Sequence, residues 1–564
     1  MISVSGKKWE ENKVNKNILD KFRQDHNLSD ILSRLIITRK FDQNEIFLIE
    51  NRLNLNNIFK DNDDFLKAVE LIENALLKKE KICILGDYDV DGSASTSLLV
   101  RFFDDLKHPY FFYIPDRELD GYGPSKKLFK KLLLKKPKLV IMVDCGSTAI
   151  ESTKYLNQNK VKSLIIDHHE INTPFPKANV IINPNKDNGY LNQNYFCATT
   201  LVYFFLEILI KKIKSKLDLK KYLIYVVLAT VCDIMPMRKL NRLISIKALD
   251  EFNLNNNIAF KEIYYLRNKK NKLNINDLGY LIGPILNAGG RVGKSNYATE
   301  LLSTNNKEKA EKISKKLIDL NDKRKKLESI ILDGINFSNL EKENKNIIIY
   351  YNPSIKEGLI GIIAARLKDH FNKPSIVITN SNNILKGSAR SINNYNIGKV
   401  IKNSYDEKLI ISGGGHKMAA GFTLKKNNLL KFERYINQDY IKKNKSFDLS
   451  LKYDAEISPR AINLSFLEDI KKISPYGNGN PTPIFLLKEL KVIKKTILNN
   501  KHIFCILKSR NNFSLNSIFF HSTDNRISEH LLNNKNYFSV VGQIDENFRN
   551  NKKIPQLIIK DLIL

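Results

Sequence analysis

The stretch "LIIDHHEI" at residues 164–171 places three aliphatic residues directly before an acid and two adjacent histidines. The chain has nine histidines among 564 residues, so a neighbouring pair at the end of an apolar run is an unusual feature. Two histidines that cap the end of a strand in a turn would give the same local pattern. The rest of the sequence has to distinguish such a turn from a catalytic or metal-binding site.

Two other apolar runs resemble the one that precedes the histidines. They are "KICIL" at 81–85 and "KLVIMV" at 138–143, and stretches of helical length separate them from each other and from "SLII" at 163–166. Short apolar runs of this kind fit strands that are buried on both faces of a parallel sheet. A further apolar segment, "YVVLATVCDIMP" at 225–236, has helical character. The sequence therefore predicts an α/β domain with a parallel sheet.

Each of these four elements ends in acidic or imidazole side chains. In chain order they are Asp87 and Asp89, then Asp144, then Asp167 with His168 and His169, and finally Asp233. Because loops at the carboxyl ends of parallel strands meet in one crevice, we expect these groups to converge. Carboxylates mixed with imidazoles suit Mn²⁺ or a similar divalent ion. Two such ions about 3.5–4 Å apart can activate a water and stabilise the leaving oxygen of a phosphodiester.

Composition narrows the class of protein. Lysine and arginine outnumber aspartate and glutamate by 92 to 60, which favours a polyanionic partner such as nucleic acid, although an AT-rich genome also enriches lysine. No apolar run approaches the roughly 18 residues of a membrane span, and the N-terminus has no apolar signal segment, so a cytoplasmic protein without membrane contact is expected.

The five cysteines are scattered and form no C-x-x-C pair, which argues against disulfides and a zinc site.

Longer motifs carry a family resemblance. The chain resembles the DHH phosphoesterases in "GDYDVDGSAS" at 86–95, "VDCGS" at 143–147, "DHH" at 167–169 and "ATVCDIMP" at 229–236. It is similar to the bacterial single-strand-specific exonucleases of that superfamily in "YIPDRELDGYG" at 113–123, "IGPILNAGGRVG" at 282–293, "KGSARSI" at 386–392, "GGGHKMAAG" at 413–421 and "PYGNGNPTPIF" at 475–485. These motifs run in family order over residues 76–564.

The resemblance implies a set of metal ligands for two Mn²⁺ or Mg²⁺ ions. They are Asp87 on one ion, Asp89, His168 and Asp233 on the other, and Asp144 bridging both. His169 is then expected to face the scissile phosphate, so that Asp144 and His169 are the catalytic pair. Asp167 either orients an imidazole through a hydrogen bond or caps the turn. Asp91 is expected to be the N-cap of the following helix, and Cys83 to be a core residue.

Five residues in the later motifs are expected to contact DNA or its 5′-phosphate. They are Arg117, Arg291, Ser388, Arg390 and His416. Guanidinium groups bind phosphate through two hydrogen bonds, and three arginines in glycine-rich motifs favour a terminal phosphate pocket over surface ion pairs. For His416 the alternative is a buried structural histidine.

The predicted fold class is α/β, with a parallel-sheet DHH domain, a long connecting helix, a smaller α/β DHH-associated domain and a C-terminal OB-fold β-barrel. The expected segments are a helical N-terminal lead-in at 1–75, the DHH domain at 76–300, the connecting helix at 301–345 (its apolar spacing covers 306–335), the DHH-associated domain at 346–440 and the OB-fold at 446–564.

The resemblance implies a metal-dependent 5′→3′ exodeoxyribonuclease that degrades single-stranded DNA to mononucleotides in recombination and repair. It also implies a monomer, with a single-strand-binding protein and a RecQ-type helicase as partners. Two other functions remain open at this point. One is a DHH phosphodiesterase for short oligoribonucleotides or cyclic dinucleotides, and the other is a replication scaffold without catalysis.

Overall fold

The computed structural model describes most of the chain as two compact units. The described residues are 3–50, 55–116, 120–121, 123–186, 190, 193–343, 345–381, 384–443, 450–499, 501–520, 526–549 and 552–564. The larger unit is formed by Asn57–Asp233 and Glu251–Phe447, and the smaller unit by Met1–Asn56, Ile234–Asp250 and Asp448–Leu564.

The described strands are, in chain order, β1 (Lys8–Glu11), β2 (Ile82–Leu85), β3 (Tyr110–Tyr113), β4 (Leu139–Val143), β5 (Lys162–Ile166), β6 (Val180–Ile182), β7 (Ile348–Tyr351), β8 (Ser375–Ser381), β9 (Ile384–Arg390), β10 (Ser412–His416), β11 (Ala419–Leu424), β12 (Ser450–Tyr453), β13 (Ala455–Glu456), β14 (Phe485–Leu498), β15 (His502–Ser509), β16 (Ser514–Phe519), β17 (Phe538–Arg549) and β18 (Lys552–Ile563).

The described α-helices are α1 (Lys16–His26), α2 (Asp30–Thr38), α3 (Gln43–Glu50), α4 (Asp63–Leu77), α5 (Val90–Asp105), α6 (Lys126–Leu133), α7 (Ile150–Gln158), α8 (Ala198–Ile213), α9 (Leu223–Cys232), α10 (Lys239–Glu251), α11 (Ile258–Leu266), α12 (Ile275–Asp277), α13 (Gly283–Val292), α14 (Tyr297–Ser303), α15 (Lys307–Asp333), α16 (Phe337–Lys342), α17 (Glu357–Phe371), α18 (Ile397–Asp406), α19 (Leu429–Lys443), α20 (Leu464–Lys471) and α21 (Arg526–Asn533). None of these described helices has the length and apolar character of a bilayer-spanning segment.

The first part of the larger unit contains the predicted parallel sheet. Its five strands lie in the order β3-β2-β4-β5-β6, and every neighbouring pair is parallel. All residues of β2 and β4 are buried, which explains why these strands are apolar without alternation. The strands predicted at 81–85, 138–143 and 163–166 are confirmed. The sequence analysis missed β3, an edge strand of half-buried aromatics, and the very short β6.

The strand order creates a crevice at the carboxyl edge of this sheet. From β2 the chain crosses through α5 to β3 on one side, and it then returns to β4 on the other side of β2. The loops after β2 and β4 therefore leave in opposite directions, which is where open α/β sheets bind their ligands. The predicted helix at 225–236 is confirmed as α9, and it brings Asp233 to its C-terminal cap.

The second part of the larger unit is a mixed sheet with its own apolar core. Its strands lie in the order β10-β11-β9-β8-β7, of which only β7 and β8 are paired in parallel. The predicted long helix over 306–335 is confirmed as α15, which has 27 residues and leads from the first part to the second. Its apolar residues Ala310, Ile313 and Leu317 are buried, as their helical spacing requires.

The smaller unit contains a closed five-stranded barrel in the order β14-β15-β16-β18-β17. The pairing of β14 with β17 closes it, and β14 bends at a bulge between Val492 and Lys494 to contact both neighbours. This strand order, with α21 between the third and fourth strands, confirms the predicted OB-fold. The amino-terminal helices join the same core, since Leu32, Leu35 and Ile36 of α2 pack with the barrel residues.

The segment expected as a helical lead-in at 1–75 is divided between the two units. Strand β1 pairs in parallel with β12, and residues up to Asn56 belong to the smaller unit. Helix α4 belongs to the larger unit. The core of the OB-fold therefore includes apolar residues of the first helices of the chain, an arrangement that local spacing in the sequence does not indicate.

A buried ion pair fastens residues 234–250 to the amino-terminal helices of the smaller unit. The Glu45 carboxylate accepts hydrogen bonds from Nε and Nη2 of Arg238, each 2.6 Å long, and from the backbone N–H of Lys239. The Glu45 side chain is 1% exposed. Burial opposes the charged form, but these bonds outweigh it and lower the pKa of Glu45 below its usual value.

We expect Glu45→Ala to lower the free energy of unfolding of the smaller unit by about 3 kcal/mol, because it leaves the Arg238 guanidinium without its buried partner. Trp9 is the chain's one tryptophan and donates to Asp561 within this unit, so its fluorescence during urea unfolding measures the change.

Asp30→Ala serves as the matched control. It removes one partner of the more exposed Asp30–Arg34 pair on α2, which is 2.7 Å long. This variant should lose no more than about 0.5 kcal/mol. Equal losses in the two variants would contradict the role given to the Glu45–Arg238 pair.

Candidate metal centre

The loop after β2 brings two acids to the crevice through close backbone packing. Asp87 is buried, and Asp89 is the N-cap of α5, where its Oδ1 accepts from the N–H of Gly92 at 3.0 Å. A Cβ on Gly92 would lie 2.5 Å from the carbonyl oxygen of Asp87, and a Cβ on Gly86 would lie 2.0 Å from Thr96 Oγ1. Only glycine fits at both positions. The two glycines therefore allow the tight loop that carries the Asp87 and Asp89 carboxylates.

Asp144 follows β4 in an unusual backbone conformation. Its φ is 56°, its side chain is almost fully buried, and its N–H donates to the carbonyl of Ile166 at 3.0 Å. Aspartate tolerates the left-handed region better than most residues, and such strain concentrates at functional sites. The turn brings the carboxylate towards the side chains that follow β2 and β5.

His168 lies among three carboxylates. Its Nε2 is 3.3 Å from Asp144 Oδ1, 3.4 Å from Asp233 Oδ2 and 3.6 Å from Asp91 Oδ2. In the part of the chain that the structure describes, Nε2 of His168 and Oδ1 of Asp144 are buried without a hydrogen-bond partner. Burial lowers the pKa of His168, so the imidazole is held in the neutral form that binds metals.

The expectation that Asp91 caps the following helix is wrong. Asp89 is the N-cap of α5, whereas the buried Asp91 carboxylate accepts from the N–H groups of Ala198 and Thr199 and from the Thr199 hydroxyl, at 2.6–2.7 Å. It therefore binds the N-terminus of α8, where the helix dipole favours a negative charge. One of its oxygens also lies beside His168.

The carboxylates repel one another strongly. Ligand atoms of Asp87, Asp89 and Asp144 lie within 4.8 Å of one another, and so do those of Asp91, His168 and Asp233. Burial and the neighbouring carboxylates raise the pKa of Asp144 well above its usual value, and the same causes raise the pKa of Asp233 to about 8. A divalent cation would relieve this repulsion, and the oxygen and imidazole donors suit one.

His169 has a different environment from His168. Its Nδ1 is 2.7 Å from Oδ1 of Asp167, and the same oxygen accepts from the backbone N–H groups of His168 and His169, so Asp167 both orients this imidazole and caps the turn. Burial opposes a charged ring, but Asp167 outweighs it and raises the pKa of His169 to about 10. The same interaction holds the pKa of Asp167 well below its usual range, although burial would raise it. The ring of His416 stacks on His169 with centroids 6.1 Å apart.

The phosphate candidates meet at the first turns of α17. Arg291 donates from Nη1 to the carbonyl of Gly358 at 3.3 Å, and Arg390 donates from Nη1 to Ser388 Oγ at 3.2 Å. A Cβ on Gly361 would lie 2.9 Å from Nη2 of Arg390 and 3.1 Å from Ser388 Oγ. Gly358 and Gly361 are one helical turn apart. Arg291, Ser388 and Arg390 are therefore neighbours.

The remaining predicted residues have different outcomes. His416 is exposed, so the alternative of a buried structural histidine is wrong. Arg117 lies outside the described residues. Cys83 is fully buried and burial raises the pKa of its thiol to about 12, which confirms a core residue. All five cysteines are free, so no disulfide is formed.

The sequence analysis missed two asparagines that hold the histidine pair. Asn183 and Asn185 donate from their side-chain amides to the backbone carbonyls of His169 and His168. They follow β6, a strand too short to be predicted, and lie well beyond the "DHH" motif in the chain. The one signal was the run "INPN" at 182–185, since asparagine before proline is common where a strand turns.

Comparisons with known proteins agree with this architecture. The DHH family N-terminal domain matches residues 81–230, the DHHA1 domain matches 344–442 and the RecJ OB domain matches 453–561. The single-stranded-DNA-specific exonuclease RecJ of Bacillus subtilis is 27% identical over 99% of this chain and 71% of its own length. RecJ of Haemophilus influenzae is 29% identical over 79% of this chain and 81% of its own length.

Solved structures extend the agreement to the fold. The structure of RecJ in complex with Mn²⁺ from Thermus thermophilus superposes with a TM-score of 0.81, covering 98% of this chain and 78% of that one at 20% identity. The comparisons agree with one another in three respects. They concern the three domains along the chain, the length over which the relatives match and the shared fold. The chain has the three domains of the RecJ exonucleases that it resembles, a DHH N-terminal domain, a DHHA1 domain and a RecJ OB domain.

Proposed function

We propose that the protein is a divalent-metal-dependent exonuclease that degrades single-stranded DNA from the 5′ end to mononucleotides, in DNA recombination and repair. The observation that carries this proposal is the buried cluster of carboxylates around His168, in which Asp144 Oδ1 and His168 Nε2 have no hydrogen-bond partner among the residues that the structure describes. The names of the relatives, single-stranded-DNA-specific exonucleases, support the substrate.

Two ions of the Mn²⁺ or Mg²⁺ class fit the donor groups. Asp87, Asp89 and Asp144 form an all-oxygen set, which suits Mg²⁺ or Mn²⁺. His168, Asp233 and Asp144 form the second set, with Asp144 common to both. This division moves Asp89 from the second ion, where the resemblance put it, to the first. When bound, such ions lower the pKa of a water and stabilise the charge that develops on phosphate oxygens.

His169 is the candidate for contact with the scissile phosphate. Asp167 binds Nδ1, so Nε2, on the other side of the ring, is directed away from Asp167. An imidazole held in this orientation can approach the scissile phosphate through Nε2, and in its protonated form it would stabilise a negatively charged phosphate oxygen or donate a proton to the leaving oxygen. The exposed His416 beside it adds a second imidazole to the same surface.

A 5′-phosphate pocket at α17 would select the end of the strand. Arg291 contacts the first turn of this 15-residue helix, and Arg390 and the Ser388 hydroxyl lie beside Gly361 in its second turn; guanidinium groups favour a doubly charged phosphate. A pocket at a fixed distance from the metal ligands would release one nucleotide in each cycle. Arg117 belongs to the same proposal on the basis of its motif alone.

The proposed partners are single-stranded DNA and two proteins. The OB-fold barrel is a module that binds single strands through a basic groove and stacking aromatics, so it would hold the DNA beyond the cleaved end. A single-strand-binding protein and a RecQ-type helicase are the proposed protein partners, and a monomer is the proposed state. The matched OB domain and the complete ligand set argue against a small-substrate phosphodiesterase and a scaffold.

The substrate and the metal can be tested together with end-labelled DNA. We expect 5′-labelled single strands to release mononucleotides in Mn²⁺ or Mg²⁺, and no product to form with EDTA. Duplex DNA of the same sequence should be resistant. Cleavage that persists in EDTA, or that is limited to short RNA or cyclic dinucleotides, would overturn the proposal.

Asp144→Asn should lower kcat by roughly 10³-fold or more, since it weakens the carboxylate shared by both sets of ligands. Its affinity for single-stranded DNA should change little, because binding rests on distributed basic surfaces. Gel-shift and single-turnover measurements separate the two effects. The control is Asp61→Asn, the same change in a side chain that is 87% exposed, which should behave as wild type. Substantial turnover by Asp144→Asn would contradict the assignment.

Arg291→Ala and Arg390→Ala should act mainly on 5′-phosphorylated DNA, so that its rate advantage over 5′-hydroxyl DNA shrinks. The ratio of kcat/KM for the two substrates is the measurement. Arg366→Ala is the matched control, because this arginine lies on α17 but pairs with Glu328 at 2.7 Å. If both variants lose equal factors on the two substrates, the arginines hold the strand or the fold and do not read its end.

A further inference from the structure

A closed ring of hydrogen bonds connects the loops after β4, β5 and β6. Asn183 is fully buried, and its Nδ2 donates to the carbonyl of His169 at 2.9 Å and to Ser147 Oγ at 2.7 Å. The N–H of Ser147 donates to Asp167 Oδ2 at 3.0 Å, and Asp167 Oδ1 lies 2.7 Å from Nδ1 of His169. The ring therefore returns to His169, whose backbone and imidazole are held at the same time.

A second asparagine in the same turn holds the neighbouring histidine. Oδ1 of Asn183 accepts from the N–H of Asn185 at 2.7 Å, and Nδ2 of Asn185 donates to the carbonyl of His168 at 2.6 Å. Pro184 lies between them and restricts the backbone of the turn. Each histidine of the pair therefore has its own asparagine, and one short turn supplies both.

We propose that Asn183 and Asn185 are positioning residues with separate tasks. Asn183 fixes His169 for its contact with the scissile phosphate, and Asn185 fixes His168 as a metal ligand. This inference rests on the function proposed above for the two histidines. It goes further, because it assigns the rate of the chemical step to the hydrogen bond on the His169 carbonyl and the metal affinity to the hydrogen bond on the His168 carbonyl.

The chemistry of the side chain explains why an amide is needed at position 183. Asn183 uses both of its N–H groups as donors and its carbonyl oxygen as an acceptor. An aspartate of the same shape has no N–H groups, and it would direct a negative charge at the His169 carbonyl. Alanine would leave buried polar groups of Ser147 and His169 without this partner.

Asn183→Ala should lower kcat on single-stranded DNA by roughly 10–100-fold and weaken Mn²⁺ binding much less than Asn185→Ala does, because it reaches His168 only indirectly, through the N–H of Asn185. Asn185→Ala should do the reverse and weaken Mn²⁺ binding by roughly 10–100-fold, with kcat partly restored at saturating metal. Calorimetric titration with Mn²⁺ alone gives the affinity, and single-turnover digestion at saturating Mn²⁺ gives the rate. Asn183→Asp should be no better than Asn183→Ala.

Asn179→Ala is the matched control, because Asn179 lies just before the other end of β6 and its Oδ1 accepts from the N–H of Ser163 at 2.8 Å. It should keep both the wild-type rate and the wild-type metal affinity. A double variant provides the second test. If Asn183 acts through His169, adding Asn183→Ala to His169→Ala should cause no further loss of rate.

Two results would overturn the inference. One is an Asn183→Ala variant that loses Mn²⁺ affinity as strongly as Asn185→Ala, and the other is a full additional loss in the His169→Ala background. Either would mean that Asn183 supports the fold of the loops in general. Failure of the proposed function is distinguishable, because the wild-type enzyme itself would then fail to digest single-stranded DNA with Mn²⁺.

Discussion

Repulsion among buried carboxylates is the constraint that the loops and helices around the candidate metal centre of the larger unit have to satisfy. Asp87, Asp91 and Asp144 are all buried in this site, with Asp91 and Asp144 beside His168, and like charges at low dielectric oppose one another strongly. Two helix N-termini relieve part of this cost, because Asp89 caps α5 and Asp91 binds the first turn of α8. Asp144 and His168 have no comparable partner among the described residues, and the divalent cations proposed above would complete the balance of charge.

The sheet topology follows from the need to bring these groups together. With β2 next to β4, the loops that carry Asp87 and Asp144 open in opposite directions, and the space between them receives His168 from the β5 loop. The glycines of the β2 loop and the left-handed backbone at Asp144 are local costs of that arrangement. Hydrogen bonds from the β6 loop then hold both histidines, so four loops share one centre.

The smaller unit depends on a different set of contacts. Residues 234–250 follow Asp233 directly, and Arg238 and Arg242 fasten them by binding Glu45 and the carbonyls of Ile473 and Ser474. The amino-terminal helices complete the core of the barrel. Removal of the segment after residue 446 would therefore expose apolar residues of the amino-terminal helices and take away the carbonyls that Arg242 binds.

The sequence determined the parts of the fold that depend on local pattern. Apolar runs identified β2, β4 and β5, helical spacing identified α15, and the acids after each strand predicted the cluster, because the carboxyl ends of parallel strands must lie at one edge. Tertiary structure decided what depends on partners distant in the chain. Asp91 could not be assigned to α8 from its own neighbours, since the N–H groups that it binds lie more than a hundred residues later. Asn183 and Asn185 gave no strong signal for the same reason: an asparagine becomes a positioning residue only when folding brings a buried carbonyl within reach of its amide.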